Sequence, residues 1–79
     1  MYPQVLENVR VSDKKAAQDD VEVRVAIKEV EETLGNSGRI LVRESGTEPV
    51  VRVMVEAETT EVCQEMVNKV VEVMKRKGL

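Results

Sequence analysis

Between Arg39 and Glu58 the chain reads RILVRES, GTEP and VVRVMVEAE. Two alternating runs on either side of a Gly/Pro turn specify a β-hairpin, and a hairpin is marginal until a further strand or helix covers its apolar face. That face is Val51, Val53, Val55 and Ala57 in the second run, with Ile40 and Val42 in the first. Pro49 lacks an N–H and suits the very start of a strand. With an even loop centred between Thr47 and Glu48, Ser45 faces Val50 and Arg43 faces Arg52. An odd loop would offset the pair by one residue.

The flanking segments supply the cover. Val5 to Val11 reads as a strand with Val5, Val9 and Val11 on one face and Glu7 as the exception. Ser12 to Asp20, SDKKAAQDD, is polar and reads as a mobile loop. Residues 20–34 alternate like a strand at Val21, Val23, Val25 and Ile27. They also place Val23, Ile27, Val30 and Leu34 on one helical face. Length, a cap at Asp19 or Asp20, and a stop at Gly35-Asn36 favour the helix. Residues 60–77 read as a second helix, capped by Thr59 or Thr60, with Glu61 at its positive end and Lys75, Arg76 and Lys77 at its negative end. Its predicted buried stripe is Val62, Met66, Val70, Val73 and Met74, widened by Cys63 and Val67. The order β-α-β-β-α predicts an α+β two-layer sandwich: a small antiparallel sheet, the third strand central, both helices on one face.

Composition narrows function. The 79 residues suit one domain, residues 1–79, with an aliphatic core. Tyr2 is the only aromatic, so stacking on bases is nearly excluded. A net charge of −3, from 12 basic and 15 acidic residues, argues against nucleic acid and anionic membrane as partners. Any anion site must be local. No histidine and a lone Cys63 disfavour structural zinc, an internal disulfide and the usual general base. Cys63 suits a reducing cytoplasm and reads as core filling. The start Met1-Tyr2-Pro3-Gln4 does not look like a secretion signal, and no apolar run approaches the ~20 residues of a membrane span. Asp13, Asp19 and Asp20 lack the spacing of a calcium loop, and Glu29, Glu31 and Glu32 read as a solvated face.

The opposed arginines need explaining. Directly opposed side chains have Cβ atoms ~5 Å apart, where like charges repel by about 3 kcal/mol at an effective dielectric near 20 and by less than about 1 in water. Alternation with Val42, Val51 and Val53 points both arginines to the open side of the sheet, beside the hydroxyls of Ser45 and Thr47 and the amides around Gly46. Guanidinium forks, hydroxyls and turn amides match the oxygens of a phosphate. The plain alternative is a turn chosen for backbone reasons, with Arg52 paired to Glu44, Glu56 or Glu7. A further alternative is an interaction module using an open-face patch of Leu41, Val50 and Met54.

The stretch GRILVRESGTEPVVRVMVEAET resembles the C-terminal phosphate-binding loop of the phosphohexomutases, and within them the bacterial branch that acts on glucosamine phosphates, with its pattern R-x-S-G-T-E-P-x-x-R-V-M-V-E. YPQVLENVRV and LGNSGRI extend the resemblance over nearly the whole chain. It implies that Arg43, Ser45, Gly46, Thr47 and Arg52 grip the substrate phosphate that is not transferred, and that Glu48 and Pro49 shape the loop. Glu44 departs from the Pro or basic residue of many relatives. The implied reaction is a reversible phosphoryl shift between the 6- and 1-positions of glucosamine, feeding UDP-N-acetylglucosamine and cell-wall precursors, in the cytoplasm. It implies a phosphoserine and a Mg²⁺ held by aspartates on other domains, with no catalytic or metal-binding residue in this chain. The chain would then be an excised domain, inactive alone, whose partners are a phosphosugar and the remaining domains. Mutases acting on glucose or mannose phosphates remain the alternative within the family.

Overall fold

A strand flanked on both sides must be the most buried one, and that strand is the second arm of the hairpin. In the computed structural model, which describes residues 2–79, the elements are β1 (Gln4–Arg10), α1 (Lys14–Asp19), α2 (Val21–Leu34), a 3₁₀ turn (Gly35–Ser37), β2 (Arg39–Glu44), β3 (Val50–Glu56) and α3 (Thr60–Arg76). The sheet order is β1-β3-β2, with both pairings antiparallel. Val51, Val53 and Val55 of β3 are fully buried. This is the α+β architecture that the element pattern predicts, with one added helix. The register also follows the count, since Arg43 is the partner of Arg52 and Val42 that of Val53.

Between sheet and helices lies one aliphatic core, in which Val23, Val30, Val67, Val70 and Met74 meet the inner face of β3. Helix ends are fixed locally. The Asp20 carboxylate accepts from the amides of Glu22 and Val23 and starts α2, and Gly35, at φ 53, ends it. Thr59 caps α3 through the amide of Val62. Gly38 passes so close to β3 that a Cβ there would press on the Glu56 carbonyl oxygen and lie 3.0 Å from the Ala57 Cα.

Two expectations need correction. Ser12–Asp20 is not a loop: Lys14–Asp19 is a helix, started by Asp13, whose side chain accepts from the amides of Lys15 and Ala16, and anchored by the fully buried Ala17. Six residues cannot display a helical period, and so short a helix forms only through its cap and its packing. In α3 the buried stripe is Cys63, Val67, Val70, Val71 and Met74. Val62, Met66 and Val73 are half-buried at its margin, so the helix is turned toward Cys63 and Val71 relative to expectation.

Candidate functional site: the open sheet face and the hairpin loop

The face of the sheet away from the helices is built in rows. Leu6, Met54 and Leu41 form one row across β1, β3 and β2; Asn8, Arg52 and Arg43 form the next. The Ser45 amide donates to the Val50 carbonyl at 2.9 Å, which extends the hairpin pairing by one step and adds the row Arg10, Val50, Ser45. By the antiparallel alternation, Arg43 and Arg52 are then also a hydrogen-bonded pair, with Cα atoms about 5.5 Å apart. Both side chains are exposed.

Among the described residues neither arginine has an acidic partner. Among the described residues the ion pairs of arginine are Arg39 with Glu56 at 3.7 Å and Arg76 with Glu22 at 3.0 Å. Glu56, one of the acids that could have neutralised Arg52, is thus engaged at the other end of the sheet. Glu44 lies opposite the buried Val51 and so on the other face from Arg43. The two arginines therefore stand opposed with no carboxylate partner among the described residues.

The loop is held from three sides. The Glu48 amide donates to the Ser45 hydroxyl at 3.4 Å, and the Val50 amide donates to the Glu48 carbonyl at 2.7 Å across Pro49, so Glu48 and Pro49 give the loop its bend. The Val11 amide donates to the Pro49 carbonyl at 2.9 Å, tying the end of β1 to the loop. The Lys14 ammonium donates to the Ser45 carbonyl at 2.6 Å. Among the described residues, no acceptor takes the amides of Gly46 and Thr47. Gly46 has no positive φ, and a Cβ there would meet nothing within 4 Å.

Two shallow concavities share Arg52. One, of about 270 Å³, is lined by Asn8, Arg10, Ser45, Glu48, Val50 and Arg52. The other, of about 400 Å³, is lined by Leu6, Leu41, Arg43, Arg52 and Met54. The structure thus brings Arg43, Arg52 and Ser45 to one end of the open face, with Gly46 and Thr47 exposed at the tip. Sequence reasoning missed Leu6, Asn8 and Arg10. With β3 already expected in the centre, aligning Val9 with Val51 would have found them, because alternation then sends all three to the open side. Among the described residues no three carboxylate, thiol or imidazole groups converge to hold a metal ion, and no helix is long and apolar enough to cross a membrane.

In class, the chain is a three-stranded α+β unit carrying an open cationic face beside a Ser-Gly-Thr hairpin tip. The chain belongs to the family of phosphoglucomutase/phosphomannomutase C-terminal domains, whose model matches residues 6–73. It is 62% identical over 78 residues to the phosphoglucosamine mutase of Lachnospira eligens, covering 99% of this chain and 17% of that protein. Against the phosphoglucosamine mutase of Bacillus subtilis the identity is 54% over 74 residues, covering 94% of this chain and 16% of the relative. The chain therefore spans about one sixth of the length of these relatives. Among solved structures, an N-acetylglucosamine-phosphate mutase of the α-D-phosphohexomutase superfamily, in its substrate complex, superposes with a TM-score of 0.73 at 31% identity, over 91% of this chain and 15% of that one. The Aspergillus fumigatus N-acetylphosphoglucosamine mutase in complex with GlcNAc-6P and magnesium shares the fold, with a TM-score of 0.77 at 23% identity, over 99% of this chain and 16% of that one.

Proposed function

We propose that this chain is the substrate-phosphate-binding domain of a phosphoglucosamine mutase, the enzyme interconverting glucosamine 6-phosphate and glucosamine 1-phosphate. The observation that carries the reading is the exposed Arg43–Arg52 pair, directly opposed and without a carboxylate partner among the described residues. A phosphate dianion between the two guanidiniums converts their repulsion into attraction and offers each fork a pair of acceptor oxygens. The Gly46 and Thr47 amides, the Thr47 hydroxyl and the Ser45 hydroxyl supply further donors at the loop. The likeness to relatives with this activity supports the choice of sugar phosphate.

The domain's share in the reaction is positional. Phosphoryl transfer is governed by alignment and charge stabilisation, and a clamp on the phosphate that stays in place holds the sugar in register with the reacting groups. The phosphoserine and the Mg²⁺ belong, in this reading, to other domains, and no step runs through them here.

The test is a ¹H–¹⁵N NMR titration of the chain with glucosamine 6-phosphate and with inorganic phosphate. Shifts should begin at residues 43–47 and vanish in an Arg43→Ala, Arg52→Ala double variant. Millimolar affinity is the expected scale, because one phosphate contact lacks the rest of a cleft. No shift at these amides at tens of millimolar ligand would sink the proposal. A second reading, a surface for another protein, has the row Leu6, Met54 and Leu41 in its favour, with Leu6 56% exposed. A partner centred there should still be captured by the double variant, whereas an anion site should not survive it.

A further inference from the structure

We infer that Arg10 is a third guanidinium of the phosphate seat, reaching it from β1 on the side of β3 away from Arg43. The inference rests on the proposed phosphate clamp and adds a contact residue that the loop motif, Arg43 to Arg52, does not contain.

Arg10 is the last residue of β1 and pairs with Val50, the residue opposite Ser45. It is thus a diagonal neighbour of Arg52, one row along on the adjacent strand. Such diagonal positions are about 7–8 Å apart, within reach of long side chains. The side chain is exposed and lines the same concavity as Ser45 and Arg52. Its backbone is fixed by the loop itself, because the next residue, Val11, donates its amide to the Pro49 carbonyl at 2.9 Å. Movement of the loop and of Arg10 is therefore linked.

Acidic residues outnumber basic ones by 15 to 12 in this chain, yet among the described residues Arg10 has no carboxylate within ion-pair distance. Glu48 lines the same concavity without closing such a pair. The result is a run of three unneutralised arginines, one on each strand, in a protein of net charge −3. Arg43 and Arg52 are side by side and approach a guest from the β2–β3 side. A tetrahedral anion seated over the loop keeps oxygens facing β1, where Asn8 and Arg10 are the side chains that line the hollow. The ligand class is a phosphate monoester dianion, whose charge and acceptor count suit three cationic forks better than a monoanion's do.

The experiment uses inorganic phosphate and the 79-residue chain, with Arg10→Gln, Arg10→Lys and Arg52→Gln variants whose folding is checked by amide dispersion. In the unsubstituted chain the Arg10 Nε–Hε resonance should move together with the Gly46 and Thr47 amides. Arg10→Gln should raise the Kd by roughly five- to twentyfold, the scale of one exposed charge-assisted hydrogen bond. It should also flatten the loss of affinity with added salt, and Arg10→Lys should recover part of both. An unmoved Nε–Hε, an unchanged Kd and salt slope in Arg10→Gln, or equal weakening in the Gln and Lys variants would each overturn the role of Arg10. If Arg52→Gln still abolishes binding in those cases, the clamp stands without Arg10. If the loop amides of the unsubstituted chain do not respond to phosphate, both proposals fall together.

Discussion

Gly46 has neither of the usual structural reasons to be glycine: its φ is not positive, and a Cβ would meet nothing within 4 Å. Gly38 shows the contrast, since a side chain there would strike the backbone of β3. The proposed phosphate seat supplies a reason of another kind, a guest that comes close to the peptide. Gly46→Ala should therefore leave thermal stability unchanged or raise it slightly, by about 0.4–1 kcal/mol through the unfolded chain, while weakening phosphate binding roughly tenfold in the NMR titration. A loss of stability instead would mean the glycine serves the turn. At this scale the sequence was legible wherever one hairpin sufficed. Arg43 opposite Arg52 needed only a symmetric loop. Arg10 and Asn8 were not legible, because their placement depends on how a strand from the other end of the chain aligns with β3.

At the scale of elements, α1 is where the pattern of residues misled most. Its sequence, KKAAQD, has the composition of a loop, and one buried alanine is too small a signal to count as a period. The helix nevertheless positions the site, through Lys14 on the Ser45 carbonyl. Lys14→Met keeps the stem and removes the donor. It should raise the Kd for phosphate roughly three- to tenfold, for the loss of one charged hydrogen bond that orders the loop. Amide hydrogen exchange at residues 45–50 should also quicken. Unchanged exchange there would show that the loop is ordered without α1. For α3 the sequence told the helix, and narrowed its cap to Thr59 or Thr60, but not its rotation. Val appears on so much of its circumference that Val73 and Val71 were equally good candidates for burial, and only packing on the sheet chose Val71.

Across the whole molecule, the two long helices are joined by charge where the start of α2 meets the end of α3. The Lys77 ammonium lies 2.9 Å from the Asp20 carboxylate and 3.4 Å from that of Glu22. The hydrogen bond from Lys77 holds the Asp20 carboxyl below its ordinary value of 3.8, against the opposing effect of burial. The same bond holds Lys77 above its ordinary 10.5. A depressed carboxyl stabilises the fold above its unfolded value and ceases to as pH falls through the folded one; a raised amine stabilises below its unfolded value and ceases to as pH rises through the folded one. The stability difference between the chain and a Lys77→Met variant should therefore be flat at neutral pH, shrinking below 3.8 and again above 10.5. Urea melts across that range measure it, and a difference that varies around neutrality would contradict the assignment. Of this arrangement the sequence disclosed the basic end of α3 and a cap at Asp19 or Asp20, but not that they meet.

One contact of α1 reaches beyond the site. Gln18 donates to the Val42 carbonyl at 3.4 Å. Val42 neighbours Arg43, whose backbone faces β3, so this carbonyl points outward from β2, one of the two border strands of the sheet. An uncovered border of that kind invites a stranger's backbone to continue the ladder. By lying along it, the small helix both steadies the hairpin loop and discourages one copy from templating the next.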